Sequence, residues 1–134
     1  MSFSSEEIVH FIINVIWNQK RLDRLHEAFD AHTNFHGSVE TAQGCDAIKA
    51  ILQKWVDAFP DLHYTADDIV ISGNKVACRW HGSGTHQGRF LGIDPTGKAI
   101  KHVGIEMIHL EKGKVREFWA SSNMLEIYKH LTTP

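Results

Sequence analysis

The chain has 134 residues, 43% of them hydrophobic, enough for one core and too little for two well-buried ones, so a single domain over 1–134 is expected. Lys and Arg number 14 against 16 Asp and Glu, a net charge of −2; with no basic stripe, nucleic acid is not an expected partner. No apolar run reaches the roughly 18 residues of a membrane span, and Met1–Glu7 offers no positive n-region before an apolar stretch that His10 and Asn14 interrupt, so a soluble, cytoplasmic protein without a signal peptide or membrane contact is expected.

Ser4 and Glu7 have the spacing of a capping box, flanked by Phe3 and Ile8 as a hydrophobic staple, and predict a helix starting at Ser5. Its body, Ile8 to Trp17, is apolar on more than one face and is expected to be covered on most sides. Leu22, Leu25 and Phe29 at i, i+3 and i+7 predict a second, shorter helix that ends before the polar segment Asp30–Asn34. A third helix is predicted from about Cys45 to Phe59, with Ile48, Ile51, Leu52, Trp55 and Phe59 as its buried stripe and Pro60 as its stop.

From Asp61 onward the period becomes that of strands. Residues 62–72 and 75–87 flank Gly73-Asn74, a two-residue hairpin turn. Gly82, Gly84 and Gly88 in the second of these strands mark the place where the sheet is expected to bulge and curl. A loop at 92–97 leads to a strand at about 98–110; Lys112-Gly113 turns it into another at 114–122, and a last helix covers 123–131 with Asn123 and Glu126 as its capping pair. The pattern is α+β: N-terminal helices packed on a strongly curved antiparallel sheet, a cone-shaped roll with a hollow end. Cys45 falls in a helix and Cys78 in a strand, far apart, and both read as reduced thiols.

The strand at 98–110 carries Ile100, His102, Gly104, Glu106, Ile108 and Leu110 on one face. If Lys112-Gly113 is a two-residue turn, Glu111 pairs with Lys114, Glu106 lies opposite Trp119, and His102 lies opposite Asn123. In an apolar hollow His102 and Glu106 are candidate acid or base groups with pKa values drawn toward neutrality, and Asn123 is a candidate hydrogen-bonding group. They lie roughly 13 Å apart along the strand, so His102 and Glu106 do not form a dyad. Trp17, Trp55, Phe59 and Trp119 are core aromatics that also serve as candidate lining for a small-molecule ligand. On the other face Val103, Ile105 and Met107, with Phe118 and Ala120 of the next strand, form an apolar patch that predicts a homodimer. Among ten histidines, His32-x3-His36 and His81-x4-His86 have the closest spacings, but neither brings third and fourth ligands, so no metal is expected. No nucleophile elbow or Cys/His signature supports acyl-enzyme chemistry.

Four stretches carry a family resemblance. Phe59-Pro60-Asp61-Leu62 and Gly73-Asn74-Lys75-Val76-Ala77-Cys78-Arg79-Trp80 are followed by Gly84-Thr85-His86-Gln87-Gly88-Arg89-Phe90-Leu91-Gly92-Ile93-Asp94-Pro95-Thr96-Gly97-Lys98 and by Gly113-Lys114-Val115-Arg116-Glu117-Phe118-Trp119. In this order they resemble the SnoaL-like polyketide cyclases, with their G-T-H-x-G-x-F-x-G-I-x-P-T-G-K and G-K-I-x-E-x-W patterns. The resemblance implies the cone-shaped fold shared with nuclear transport factor 2 and ketosteroid isomerase, a homodimer, and acid/base chemistry without a cofactor, an aspartate in the pocket assisting an aldol ring closure. Members commonly carry W-x-x-x-D at the end of the last strand; here the spacing gives Trp119-Ala120-Ser121-Ser122-Asn123, and an amide cannot take up a proton at working pH. Three readings stay open: a cofactor-independent cyclase or isomerase with His102 or Glu106 as base, a non-catalytic module binding a small apolar carbonyl compound or a small acid, and an epoxide hydrolase or dehydratase on the same fold.

Overall fold

The computed structural model describes residues 2–134. The capping box forms as predicted: Glu7 N–H donates to Ser4 Oγ at 3.2 Å and Ser4 N–H donates to Glu7 Oε1 at 3.0 Å, starting helix α1 (Ser5–His10). The helix then widens into a π-helix over Phe11–Asn18, and at its end Gln19 N–H reaches Asn14 C=O, five residues back, at 3.1 Å. Phe11, Ile12, Ile13 and Ile16 are all buried, more than a narrow stripe on one helical face would turn toward the core.

The predicted second helix is only a 3-10 turn, Leu22–Glu27. Phe29 belongs instead to strand β1 (Phe29–His36), which takes in the polar segment Asp30–Asn34 and the stretch holding His32 and His36 that the sequence leaves open to a loop or a short strand; β2 (Thr41–Gln43) follows it. The partner that makes β1 a strand is remote: it pairs in parallel with the last strand, Phe35 beside Phe118, and the hydroxyl of buried Thr33 donates to Val115 C=O at 2.5 Å. The remaining elements lie within about two residues of the predicted ranges: α2 (Cys45–Ala58), β3 (His63–Ser72), β4 (Lys75–Thr85), β5 (Ala99–Glu111), β6 (Lys114–Ser122) and α3 (Met124–Thr132). The strands form one curved sheet in the order β2-β1-β6-β5-β4-β3, antiparallel except between β1 and β6, with helices packed against it. The fold is thus α+β as expected, with a six-stranded mixed sheet in place of a four-stranded meander.

Two register findings correct the sequence reading. Pairing of β4 with β5 runs unbroken through Gly82 and Gly84, and Gly82 also pairs regularly with Tyr64 of β3, so no bulge lies there; the shifts fall between Ala66 and Asp68 on β3 and between His109 and Leu110 where β5 meets β6. At the second, Leu110 pairs with Val115 but His109 pairs with Glu117, leaving Arg116 as an extra residue. Glu106 therefore opposes Ala120, and Met107 opposes Trp119. A slip of one residue exchanges the faces of a strand. Phe118 and Ala120 turn to the concave side and Trp119 to the outer side, so the predicted oppositions of Glu106 with Trp119 and of His102 with Asn123 do not occur. Cys45 is half-buried, Cys78 is buried, and both are free thiols. Among the described residues no helix is long and apolar enough to cross a membrane.

Candidate functional site

Between the π-helix, α2 and the concave face of the sheet lies a pocket of about 760 Å³, counting its solvent-open mouth. Its walls are mainly apolar: Ile12, Ile13 and Trp17 from the π-helix, Ile51, Leu52 and Trp55 from α2, and Phe29, Phe35 and Phe118 from β1 and β6. The turn Gly37–Glu40 closes one side, where Glu40 pairs with Lys54 of α2 at 2.9 Å. The small side chain of Ala120, opposite Glu106, leaves the space over β6 open.

The polar groups of the pocket are placed by two glycines. Tyr64, Gly82 and His102 lie side by side across β3, β4 and β5, and a Cβ on Gly82 would sit 2.3 Å from Tyr64 Cδ1. With no side chain there, the Tyr64 ring crosses β4 and its hydroxyl hydrogen-bonds His102 Nδ1 at 2.8 Å. Asn18 holds the Tyr64 backbone on both groups, donating to its C=O at 2.9 Å and accepting from its N–H at 2.8 Å. Trp80 pairs with Gly104, where a Cβ would meet Trp80 Cζ2 at 2.8 Å. The nitrogen-bearing edge of the indole thus lies over Gly104, between the strand positions of His102 and Glu106. Trp55 stacks on His102 with ring centres 4.7 Å apart and 17° between planes, and Trp80 meets the same imidazole edge-on at 4.7 Å.

His102 and Glu106 are each only 5% exposed. Burial pushes the Glu106 carboxyl up to about 8, holds the His102 imidazole down to about 4 and drives the Tyr64 phenol upward, because a low-dielectric surround disfavours the charged form of each. Near neutral pH all three are predominantly uncharged. Three buried polar atoms of pocket residues have no partner among the described residues: Trp80 Nε1, His102 Nε2 and Glu106 Oε2. Each costs about 1–3 kcal/mol if left unmatched; the buried His86 Nε2, outside the pocket, is unmatched as well.

Of the residues singled out from sequence, the structure brings together His102, Glu106, Trp17 and Trp55. Phe59 is fully buried and packs behind the wall, against Trp55 and Phe90. Trp119, turned outward by the Arg116 bulge, is 38% exposed and stacks on His36. Asn123 does not line the pocket: its side chain accepts from Val103 N–H at 2.9 Å and donates to Lys101 C=O at 2.9 Å, tying the end of β6 to β5. It stands at the N-cap position of α3 but makes no capping bond, so the expected pair with Glu126 is replaced by this clasp. Tyr64 escaped the sequence reading as a site residue. A plain hairpin count from Gly73-Asn74 sets Tyr64 opposite Ser83, and only the extra residue at Asp67 brings it to Gly82. The closely spaced histidines go separate ways: His36 to Glu117, His81 to Asp67 and His86 to Thr96.

A family model described as SnoaL-like polyketide cyclase matches residues 7–131. Among solved structures, a SnoaL-like protein from Jannaschia sp. CCS1 superposes with a TM-score of 0.90 at 19% identity, over 97% of this chain and 92% of that one. AclR from Streptomyces galilaeus gives 0.82 at 25% identity, over 95% and 80%. A SnoaL-like polyketide cyclase from Agrobacterium tumefaciens gives 0.78 at 19% identity, over 98% and 99%. No curated protein matches the chain significantly.

Proposed function

The chain belongs to the SnoaL-like polyketide cyclase family, and from that premise we propose that its pocket takes a small, largely apolar carbonyl compound and moves a proton on it without a cofactor, Glu106 being the acid/base group. One observation carries this reading. The unmatched polar atoms of Trp80, His102 and Glu106 belong to one aromatic-walled pocket, and of these groups only the carboxyl, raised to about 8, titrates close to neutral pH, where an acid/base catalyst works best. His102, held down to about 4, is a weak base and a good neutral hydrogen-bonding partner. A carboxylate formed in this apolar-walled setting takes a proton from the carbon beside a carbonyl and returns it elsewhere, the elementary step of both aldol ring closure and isomerisation.

The test uses 2-tetralone, an apolar aromatic ketone. Quenching of Trp17, Trp55 and Trp80 fluorescence reads its binding, and proton NMR in deuterium oxide reads exchange at its acidic carbons. Accelerated exchange that falls by about a hundredfold or more in Glu106→Gln is expected; equal exchange in both proteins would place the base elsewhere.

A second reading, a binding module without catalysis, is favoured by Asn123: the position where the family resemblance implies an aspartate holds an amide whose two polar groups are engaged on the β5 backbone. It predicts binding of the ketone with no acceleration of exchange. In either reading the chain forms a homodimer through the outer face of the sheet, where Val103, Ile105, Met107 and Trp119 are 44%, 56%, 44% and 38% exposed in one group.

A further inference from the structure

Tyr64 Oη and His102 Nδ1 share one hydrogen bond of 2.8 Å, and the side on which its proton sits decides what the rest of the imidazole does. If Nδ1 donates, the Tyr64 hydroxyl proton has no acceptor among the described residues, and Nε2 is left as a bare lone pair. Two buried groups are then unmatched. If Tyr64 donates, its hydroxyl is satisfied and a single Nε2–H is unmatched. Each buried group without a partner is costly, so the second arrangement is the stable one. Burial works in the same direction by keeping the proton on the phenol.

We infer that Tyr64 is a positioning residue: it fixes His102 as the Nε2–H tautomer, so that His102 and Trp80 present two N–H donors to one anionic ligand oxygen and Glu106 alone is left to accept. The geometry supports the pairing. The imidazole and indole rings are 4.7 Å apart, the indole nitrogen is a donor only, and its edge is set between His102 and Glu106 by the gap at Gly104. The imidazole is held in plane by the Trp55 stack on its face. An enolate or phenolate oxygen has the charge such a pair accepts best, since donors fixed in an apolar-walled pocket need no reorganisation to meet it. The use of the donors in catalysis rests on the proposed function; the tautomer does not.

The test begins with the wild-type protein labelled with nitrogen-15 in histidine, the His102 signals being assigned by their loss in His102→Gln. Long-range proton–nitrogen correlation near neutral pH is expected to show Nδ1 unprotonated and Nε2 protonated; the reverse overturns the inference. In Tyr64→Phe the two nitrogens are expected to drift toward averaged positions, and an unchanged spectrum overturns the positioning role. Should that variant fail to fold, the wild-type spectrum still decides the tautomer.

The donor pair is read with 4-nitrophenolate, followed by its visible absorbance. Binding is expected to weaken about tenfold or more in Trp80→Phe, which keeps a ring and loses the N–H, and equal affinity overturns the pair. The two proposals fail separately. A wild type that exchanges ketone protons yet holds the Nδ1–H tautomer, or refuses 4-nitrophenolate, refutes only the present one. The expected tautomer and binding without exchange refute only the catalytic reading.

Discussion

Glu106→Gln removes a titrating group while keeping the outline of the side chain, and its effect on stability follows from the burial of the carboxyl. The carboxyl titrates near 4.5 when unperturbed and is pushed up to about 8 in the fold. Between those values the unfolded chain has lost the proton and the folded chain still holds it, so the folded state binds more protons and stability falls as pH rises. The contribution is whole below about pH 4.5 and is lost as pH climbs through about 8. His102 works in the opposite sense: its folded value is lowered from 6.5 to about 4, so its contribution is whole above about pH 6.5 and is lost as pH falls through about 4. Between about pH 4.5 and pH 6.5 the two slopes cancel in the wild type, so its own curve falls only on the alkaline side; His102, present in both proteins, drops out of the gap between them. Each pH unit there is worth about 1.4 kcal/mol, so from about pH 6.5 to about pH 8 the wild type should lose ~2 kcal/mol that the Gln variant keeps, with little further change above. Urea unfolding of both proteins at several pH values measures this. Any constant offset from repacking around Gln drops out, because only the change of the gap with pH matters. A gap that stays level across the window refutes the argument, since it would mean that Glu106 is ionised in the fold well below pH 8.

Asn123→Asp should lower stability by about 1 kcal/mol, read as a shift of the urea midpoint, because a carboxylate cannot donate to Lys101 C=O as the amide does at 2.9 Å; an unchanged midpoint would show that the clasp contributes nothing. Gly82→Ala should cost about 1–3 kcal/mol and disturb the His102 nitrogen signals, since the added carbon meets the Tyr64 ring at 2.3 Å. Normal stability with unaltered signals would show that Tyr64 does not need the gap. Ile105→Asp, on the outer face where Ile105 is 56% exposed, should convert a homodimer to monomer in analytical ultracentrifugation; a wild type that is already monomeric at micromolar concentration ends that argument.

The helices and hairpins declared themselves wherever their cause was local. The Ser4–Glu7 box, the Pro60 stop and the turns at Gly73-Asn74 and Lys112-Gly113 depend on residues a few positions apart, and at the last the φ angles of Lys112 and Gly113 are +51° and +76°, as a tight hairpin requires. His102 and Glu106 were legible for the same reason, being alternate positions of one strand. What sequence did not reveal depends on distant partners or on a single extra residue. β1 is a strand because β6 receives it, and nothing between Asp30 and His36 announces this. Tyr64 reaches His102, and Trp119 leaves the pocket, only because Asp67 and Arg116 each add one residue to a strand that simple counting treats as regular. The glycines of β4 signalled a bulge that does not form: at Gly82 the missing side chain makes room for a neighbouring ring, while the pairing with β5 runs on unbroken.

The Arg116 bulge also sets how the pocket can change over evolutionary time. Substitutions along β6 alter one side chain on one face, but a ladder that closed up with Arg116 paired to His109 would slip the rest of the strand by one residue, exchanging Ala120 for Trp119 beside Glu106 and filling the hollow with an indole. A protein with this architecture can therefore open or close its cavity by a change of strand register far from any lining residue, and comparisons among relatives that count along β6 without tracking that bulge will assign inner and outer faces wrongly.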